Sequence, residues 1–160
     1  MEVLNVFLCG QLTGKLCFDN GELSFSYDTK YLNSNEAKKL SSALPLKEKI
    51  FKHQECHAFF SGLLPDDQLR KTLASYLKIS ETNIFGLLKA IGGECAGAVS
   101  LQSPRKNQKE KNNTYKTLNN KEAHKLLLTL DKRPFLVGER GVRMSAGGAQ
   151  NKLMVSFIQN

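Results

Sequence analysis

Ser145-Ala146-Gly147-Gly148-Ala149-Gln150-Asn151-Lys152 is the stretch of this chain whose residue types best suit chemistry. Two adjacent glycines between alanines leave main-chain N–H groups free of any Cβ, so they can approach the oxygens of a phosphate. Lys152 stands where a cation could reach the same phosphate, and Ser145 could donate to a phosphate or accept one. The competing reading is a plain turn between strands, with Ser145 as a turn former and Lys152 as a strand-edge lysine. The run does not fit G-x-x-x-x-G-K-S/T, and Gly138, Gly141, Gly147 and Gly148 do not make G-x-G-x-x-G. Composition alone therefore marks a nucleotide-binding candidate that lacks a standard signature.

Other reactive residue types are weaker. His53, Cys56 and His57 fall at i, i+3 and i+4, on one side of a helix, where they could present three metal ligands. They have no H-E-x-x-H order and no fourth ligand nearby, so they are read as helix interior, with no metal. Cys9, Cys17, Cys56 and Cys95 form no C-x-x-C pair and are read as buried thiols; Cys9 and Cys17 sit in neighbouring strand-like runs that could face each other. The run Phe59-Phe60-Ser61-Gly62-Leu63-Leu64-Pro65-Asp66 reads as core plus the start of a helix, against an exposed apolar recognition surface. The histidines make no Ser/His/Asp order that would support a triad, and no catalytic residue is assigned.

The elements that must position these residues read as α+β. At 160 residues, 41% hydrophobic and 24% charged, the chain suits one globular domain or two small lobes. It has no run of about 18 apolar residues and no basic lead to an export signal, so cytoplasm and no membrane contact are expected. Residues 3–9, 14–18 and 22–27 read as strands, with Asn20-Gly21 supplying a tight hairpin turn. Residues 34–44 and 45–64 are mixed, broken by Pro45 and Pro65. Pro65-Asp66-Asp67 starts a helix carrying Leu69, Leu73, Tyr76 and Leu77. Ser80 is expected to cap the next, which buries Ile84, Phe85, Leu87, Leu88 and Ile91 and ends at Gly92-Gly93. Residues 94–101 read as a strand packed closely through Gly97. Asn120 is expected to cap a helix through Leu130 with Ala123, Leu126 and Leu127 on its stripe.

The net charge of +8 is uneven. Between Pro104 and Lys125 stand Arg105, Lys106, Lys109, Lys111, Lys116, Lys121 and Lys125 against Glu110 and Glu122; Lys132, Arg133, Arg140 and Arg143 follow. Such a field draws in polyanions, nucleotide or nucleic acid alike. Residues 104–116 are read instead as a solvated linker, and Tyr115 is the one aromatic residue from 104 to 125, so direct nucleic-acid binding is the weakest reading.

Taken together, these runs resemble the N-terminal part of the HipA-type toxin kinases, the serine/threonine kinases of bacterial toxin–antitoxin pairs. Gly10, Leu12, Gly14 and Leu16, then Phe25-Ser26-Tyr27 and Leu44-Pro45-Leu46, are similar to the family's first subdomain. Phe59 to Asp66 with Arg70 resembles its LLP-acid…R signature, and residues 91–99 resemble its G-x-acid-C-A-G-A strand. Ser145 to Lys152 resembles its S-x-A-G-A-Q-x-K loop, with Gly147 where the family often has alanine.

The resemblance implies a first subdomain over 1–101, a basic polar linker over 102–118, and the beginning of a kinase N-lobe over 119–160. It implies that Gly147, Gly148, Ala149, Gln150, Asn151 and Lys152 cover ATP phosphates and that Ser145 is autophosphorylated. A phosphate there adds about −1.5 to −2 charges and would hold the loop away from ATP. ATP and Mg²⁺ are implied for the full-length parent, with no tight binding by these residues alone. Implied partners are a HipB-like antitoxin or the remaining kinase lobe, with an aminoacyl-tRNA synthetase as protein substrate and nucleic acid reached only through the antitoxin. Phosphoryl transfer also needs a base and Mg²⁺-holding carboxylates, which in the family lie well beyond the glycine loop. The seven residues after Leu153 hold no acid or histidine, so the 160 residues alone are expected to be inactive. The alternative is a stand-alone protein that docks on a separate kinase, using Phe59-Phe60 and Leu63-Leu64.

Overall fold

The computed structural model describes residues 1–94, 98–104 and 118–129. Strands β1 (Glu2–Leu8), β2 (Gln11–Asp19) and β3 (Glu22–Tyr27) form an antiparallel meander. Each turn has two central residues at positive φ, Cys9 at 51° with Gly10 at 82°, and Asn20 at 48° with Gly21 at 85°. That conformation matches the twist of the flanking strands, which is why Asn20-Gly21 was legible as a hairpin. The first connection is tighter than the expected strand limits allow. Cys9 lies in the turn and is exposed, so it does not face Cys17, whose neighbours across the sheet are Val3 and Ser24.

Two short strands complete the sheet, β4 (Ile50–Phe51) beside β3 and β5 (Val99–Gln102) beside β1, in the order β4-β3-β2-β1-β5. All neighbours are antiparallel. Alternation along each strand sends Leu4, Val6, Leu16, Leu23, Phe25, Tyr27, Phe51 and Leu101 into one buried cluster. Phe25 is its hub, with the rings of Tyr27, Phe60 and Phe51 at 4.9, 5.5 and 6.1 Å. Each such phenyl ring contributes roughly 1.5–3 kcal/mol when fully buried. Beyond a register shift at Val6/Phe7, Gly14 lets the Ser26 carbonyl and the Phe25 ring come close enough to exclude any Cβ.

Helix α1 (Thr29–Leu32) follows β3, and α2 (His53–Ser61), α3 (Asp67–Leu77) and α4 (Ile84–Ile91) follow β4; Tyr31, Phe60, Leu73, Phe85 and Leu88 carry them into the same core. Phe85 stacks on Phe18 of β2 at 5.2 Å. The α3 start at Asp66-Asp67 stands as expected. The cap of α4 does not: Asn83 Oδ1 accepts the Gly86 N–H at 2.8 Å, while Ser80 Oγ is engaged with Thr82 in the preceding turn. The helix therefore opens at Ile84.

After α4, a 3-10 turn spans Gly92–Glu94. A Cβ on Gly92 would fall 2.9 Å from Leu101 Cβ, so the close approach to β5 occurs at Gly92; Gly97 lies outside the described residues. The strand itself is shorter than the expected 94–101. Helix α5 (Asn120–Thr129) is capped one residue before the expected Asn120, by a reciprocal pair in which Asn119 Oδ1 accepts Glu122 N–H and Glu122 Oε2 accepts Asn119 N–H, both at 2.9 Å.

Candidate functional site

Ser145, Gly147, Gly148, Ala149, Gln150, Asn151 and Lys152 lie outside the described residues, as do 105–117, Asp131 and Glu139. On α5, Leu127 and Leu128 are 52% and 64% exposed, so Leu127 does not form the buried stripe expected of it.

The histidine-cysteine cluster is fully described, and its geometry assigns the roles. Lys52 precedes α2, and the Glu55 carboxylate folds back onto the Lys52 N–H at 2.9 Å. Lys49 Nζ also bonds Glu55, at 2.5 Å, and this contact with the Lys52 amide holds the Glu55 carboxyl below the usual carboxylate range. His53 sits in the first turn, and its Nδ1 accepts the Leu23 N–H at 3.0 Å. That bond occupies the Nδ1 lone pair, so the neutral ring carries its proton on Nε2 and offers no free nitrogen lone pair to a metal. His57 lies one turn on, its ring 4.8 Å from that of His53. Cys56 is fully buried, and burial pushes its thiol up to about 11, away from the reactive thiolate. Among the described residues no group of three or more His, Cys, Asp or Glu is placed to hold a metal ion. This cluster joins α2 to β3.

The Phe59–Asp66 run with Arg70 is likewise structural. Phe60 and Leu64 are buried, while Phe59 and Leu63 are partly buried against the core. Arg70 reaches back from α3 to the end of α2: Nη2 donates to the Ser61 carbonyl at 3.1 Å, Nη1 to Ser61 Oγ at 3.4 Å, and Nε to the Pro65 carbonyl at 3.2 Å. The Ser61 carbonyl already accepts the Leu64 N–H at 3.1 Å, and the C-terminal end of a helix carries partial negative charge, so the guanidinium adds a charge-assisted bond where that end is electronegative. The signature thus encodes a clamp across the α2–α3 corner. The recognition-surface alternative loses its central residues to the core.

Charge separates sharply along the chain. Residues 1–104 contain eleven Lys and Arg against eleven Asp and Glu, so the whole +8 resides in 105–160. The five-stranded unit has no net field to gather polyanions. Sequence reading also missed two tyrosines that organise a loop: Tyr27 and Tyr31 each use the phenolic oxygen as both donor and acceptor toward residues 38–44. Tyr27 falls in the expected 22–27 strand, but nothing local pointed to Tyr31 or to the loop the two hold.

A family profile described as HipA N-terminal domain matches residues 4–102. "Putative kinase Y4mE" of Sinorhizobium fredii is 34% identical over 163 residues, covering 99% of this chain and 39% of that protein. An "Uncharacterized protein" of Haemophilus influenzae is 29% identical over 100 residues, covering 62% of this chain and 91% of that protein. Among solved structures, the HipA chain of the Shewanella oneidensis MR-1 complex of HipA, HipB and operator DNA superposes with a TM-score of 0.65 at 23% identity, over 91% of this chain and 33% of that one. A structure of the N-terminal domain of HipA toxin gives 0.51 at 24% identity, over 67% of this chain and 96% of that one. The chain therefore spans about two-fifths of Y4mE and a third of the Shewanella chain. The structural matches share the fold of a small antiparallel sheet packed with helices. With the profile running from β1 through β5, the chain belongs to the HipA N-terminal domain family.

Proposed function

We propose that these residues are the N-terminal portion of a HipA-like protein serine/threonine kinase toxin from a toxin–antitoxin system. The carrying observation is the 34% identity to Putative kinase Y4mE, which covers 99% of this chain and so runs beyond residue 102 through the glycine loop. In this reading residues 1–101 form the first subdomain, 102–118 the linker, and 119–160 the opening of the nucleotide lobe. The uncrowded amides of Gly147 to Asn151 cradle ATP phosphates and the Lys152 ammonium balances their charge. Ser145 is the autophosphorylation site, and its phosphate repels ATP from the loop. Mg²⁺ is held by carboxylates of the parent outside these residues, so the 160 residues alone transfer nothing. A HipB-like antitoxin is the proposed partner, supported by the Shewanella relative, whose structure contains HipB and operator DNA. The neutral charge of residues 1–104 gives that stretch no net attraction for nucleic acid. The proposed substrate is an aminoacyl-tRNA synthetase, in the cytoplasm.

Radiolabelled ATP with Mg²⁺ tests the reading. Incorporation is expected from a parent polypeptide that contains this sequence and from a complete family enzyme as control, and none from the 160 residues alone. Ser145→Ala should abolish self-labelling in the parent. Lys152→Ala should lower kcat/KM by about tenfold or more, the scale of one lost charge-assisted phosphate contact. Parent labelling untouched by both changes would rule the reading out.

The Haemophilus protein favours a second reading, because a match confined to 100 residues fills 91% of its length. A unit like residues 1–104 can then be a protein in itself, docking on a separate kinase. Phe60 and Leu64 are unavailable for that role, being buried. The DNA downstream of codon 160 discriminates: an in-frame continuation bearing catalytic aspartates favours the kinase, and a stop followed by a separate kinase gene favours the docking protein.

A further inference from the structure

Between α1 and β4 the chain crosses the molecule without helix or ladder strand, apart from an internal Ser41–Leu44 bridge. Among the described residues, every hydrogen bond from residues 38–46 to the rest of the molecule ends on one of two phenols. Tyr27 Oη accepts the Leu40 N–H at 3.0 Å and donates to the Leu44 carbonyl at 2.5 Å. Tyr31 Oη accepts the Lys38 N–H at 2.9 Å and donates to the Lys38 carbonyl, also at 2.9 Å. The two rings lie nearly parallel, 5° apart in orientation with centroids 6.3 Å apart. Leu44 is the single fully buried side chain in this stretch, with Leu40 partly buried beside the core. Lys38, Lys39, Ser42, Ala43 and Leu46 are exposed. One feature opposes closure: Ser41 Oγ is shut away from solvent with no partner among the described residues.

We propose that residues 38–46 form a strap that opens as a unit from an intact sheet, with Tyr27 and Tyr31 as its latch. Opening breaks four hydrogen bonds and unseats one leucine, and it relieves the stranded Ser41 hydroxyl. Unfolding the sheet instead dismantles four strand pairings and the Phe25 cluster. The first event lies far lower in free energy, which makes it a separate cooperative step. Opening frees the backbone that carries the already exposed Lys38 and Lys39, and it uncovers the Leu44 seat beside two phenols and the Phe51 ring, which sits 6.0 Å from Tyr27. The strap is thus a built-in conformational device whose set point is the phenol–backbone bonding, independent of the kinase reading.

Amide exchange on the full 160-residue chain tests it, with circular dichroism confirming that each variant is folded. In the native protein, Lys38, Leu40 and Leu44 amides should exchange about a hundredfold faster than those of Leu16 and Phe25, after correction for intrinsic rates, and with a shallower urea dependence. Tyr31→Phe should speed Lys38 and Leu40 exchange by about tenfold while leaving Leu16 and Phe25 unchanged. Ser41→Ala, which removes the orphan hydroxyl, should slow strap exchange several-fold. Trypsin at Lys38 and Lys39 gives an independent readout, since early cutting there should accelerate in Tyr31→Phe while the sheet stays protected. Strap and sheet amides sharing one protection factor and one urea slope would overturn the proposal. So would a Tyr31→Phe change that raises both sets equally, or a Ser41→Ala change that speeds the strap.

Discussion

Arg70 shows how one side chain can hold a corner that neither helix secures alone. Its three donors meet the Ser61 carbonyl, Ser61 Oγ and the Pro65 carbonyl, so a substitution removes bonds from two segments at once. Arg70→Ala should lower the unfolding free energy by about 2 kcal/mol, the scale of hydrogen bonds from a charged donor. Arg70→Lys should recover less than half, because an ammonium cannot span the same fork. Urea melts monitored by circular dichroism check both; an alanine variant as stable as the parent would remove the clamp. Glu55 carries a pH signature of defined sign. Its carboxyl is held below the ordinary range by Lys49 and the Lys52 amide, so its stabilisation is present at neutral pH and fades as pH falls through the carboxylate range and below. Glu55→Gln should therefore melt below the parent at neutral pH and converge with it in strong acid. A gap of equal size at both pH values would contradict that account.

At the scale of elements, caps decide where helices begin. Asn83→Ala should cost about 1 kcal/mol because it strands the Gly86 N–H, whereas Ser80→Ala should stay within about 0.5 kcal/mol. Thermal melts of the two variants side by side settle which residue is the cap, since equal losses would restore Ser80. Both residues are good capping types, which is why the sequence did not separate them. Helix α2 was partly hidden for a related reason. Its buried positions are only Cys56 and Phe60, too few to establish a period across 45–64. The two-residue β4 has no period at all; it exists because Phe51 completes the aromatic cluster on Phe25 and Tyr27.

For the whole molecule the governing contrast is between a neutral first stretch of sequence and a basic second one. Residues 1–104 balance their charges, and 105–160 carry the entire +8. The 160-residue protein should bind a heparin column at low salt and elute as ionic strength rises, whereas residues 1–104 prepared alone should pass through. Equal retention of both would place a basic surface on the sheet unit. Connectivity matters at this scale too. The β1–β3 meander assembles from near neighbours, but β5 must return from residue 99 to pair with β1. That closure requires Gly92 to admit Leu101.

Local stereochemistry was enough to make the meander legible: Asn20-Gly21 favours positive φ at both turn positions, and Leu23, Phe25 and Tyr27 alternate with polar neighbours. The family strings were likewise readable, since their order along the chain is a property of the sequence alone. Three-dimensional packing decided what those residues do. The Leu23 amide removes His53 from metal chemistry across thirty positions, and Arg70 closes the corner between α2 and α3. The phenols of Tyr27 and Tyr31 hold a segment no pattern tied to them. These outcomes depend on through-space contacts between groups far apart in the chain, whose energies exist only once the backbone has brought them together.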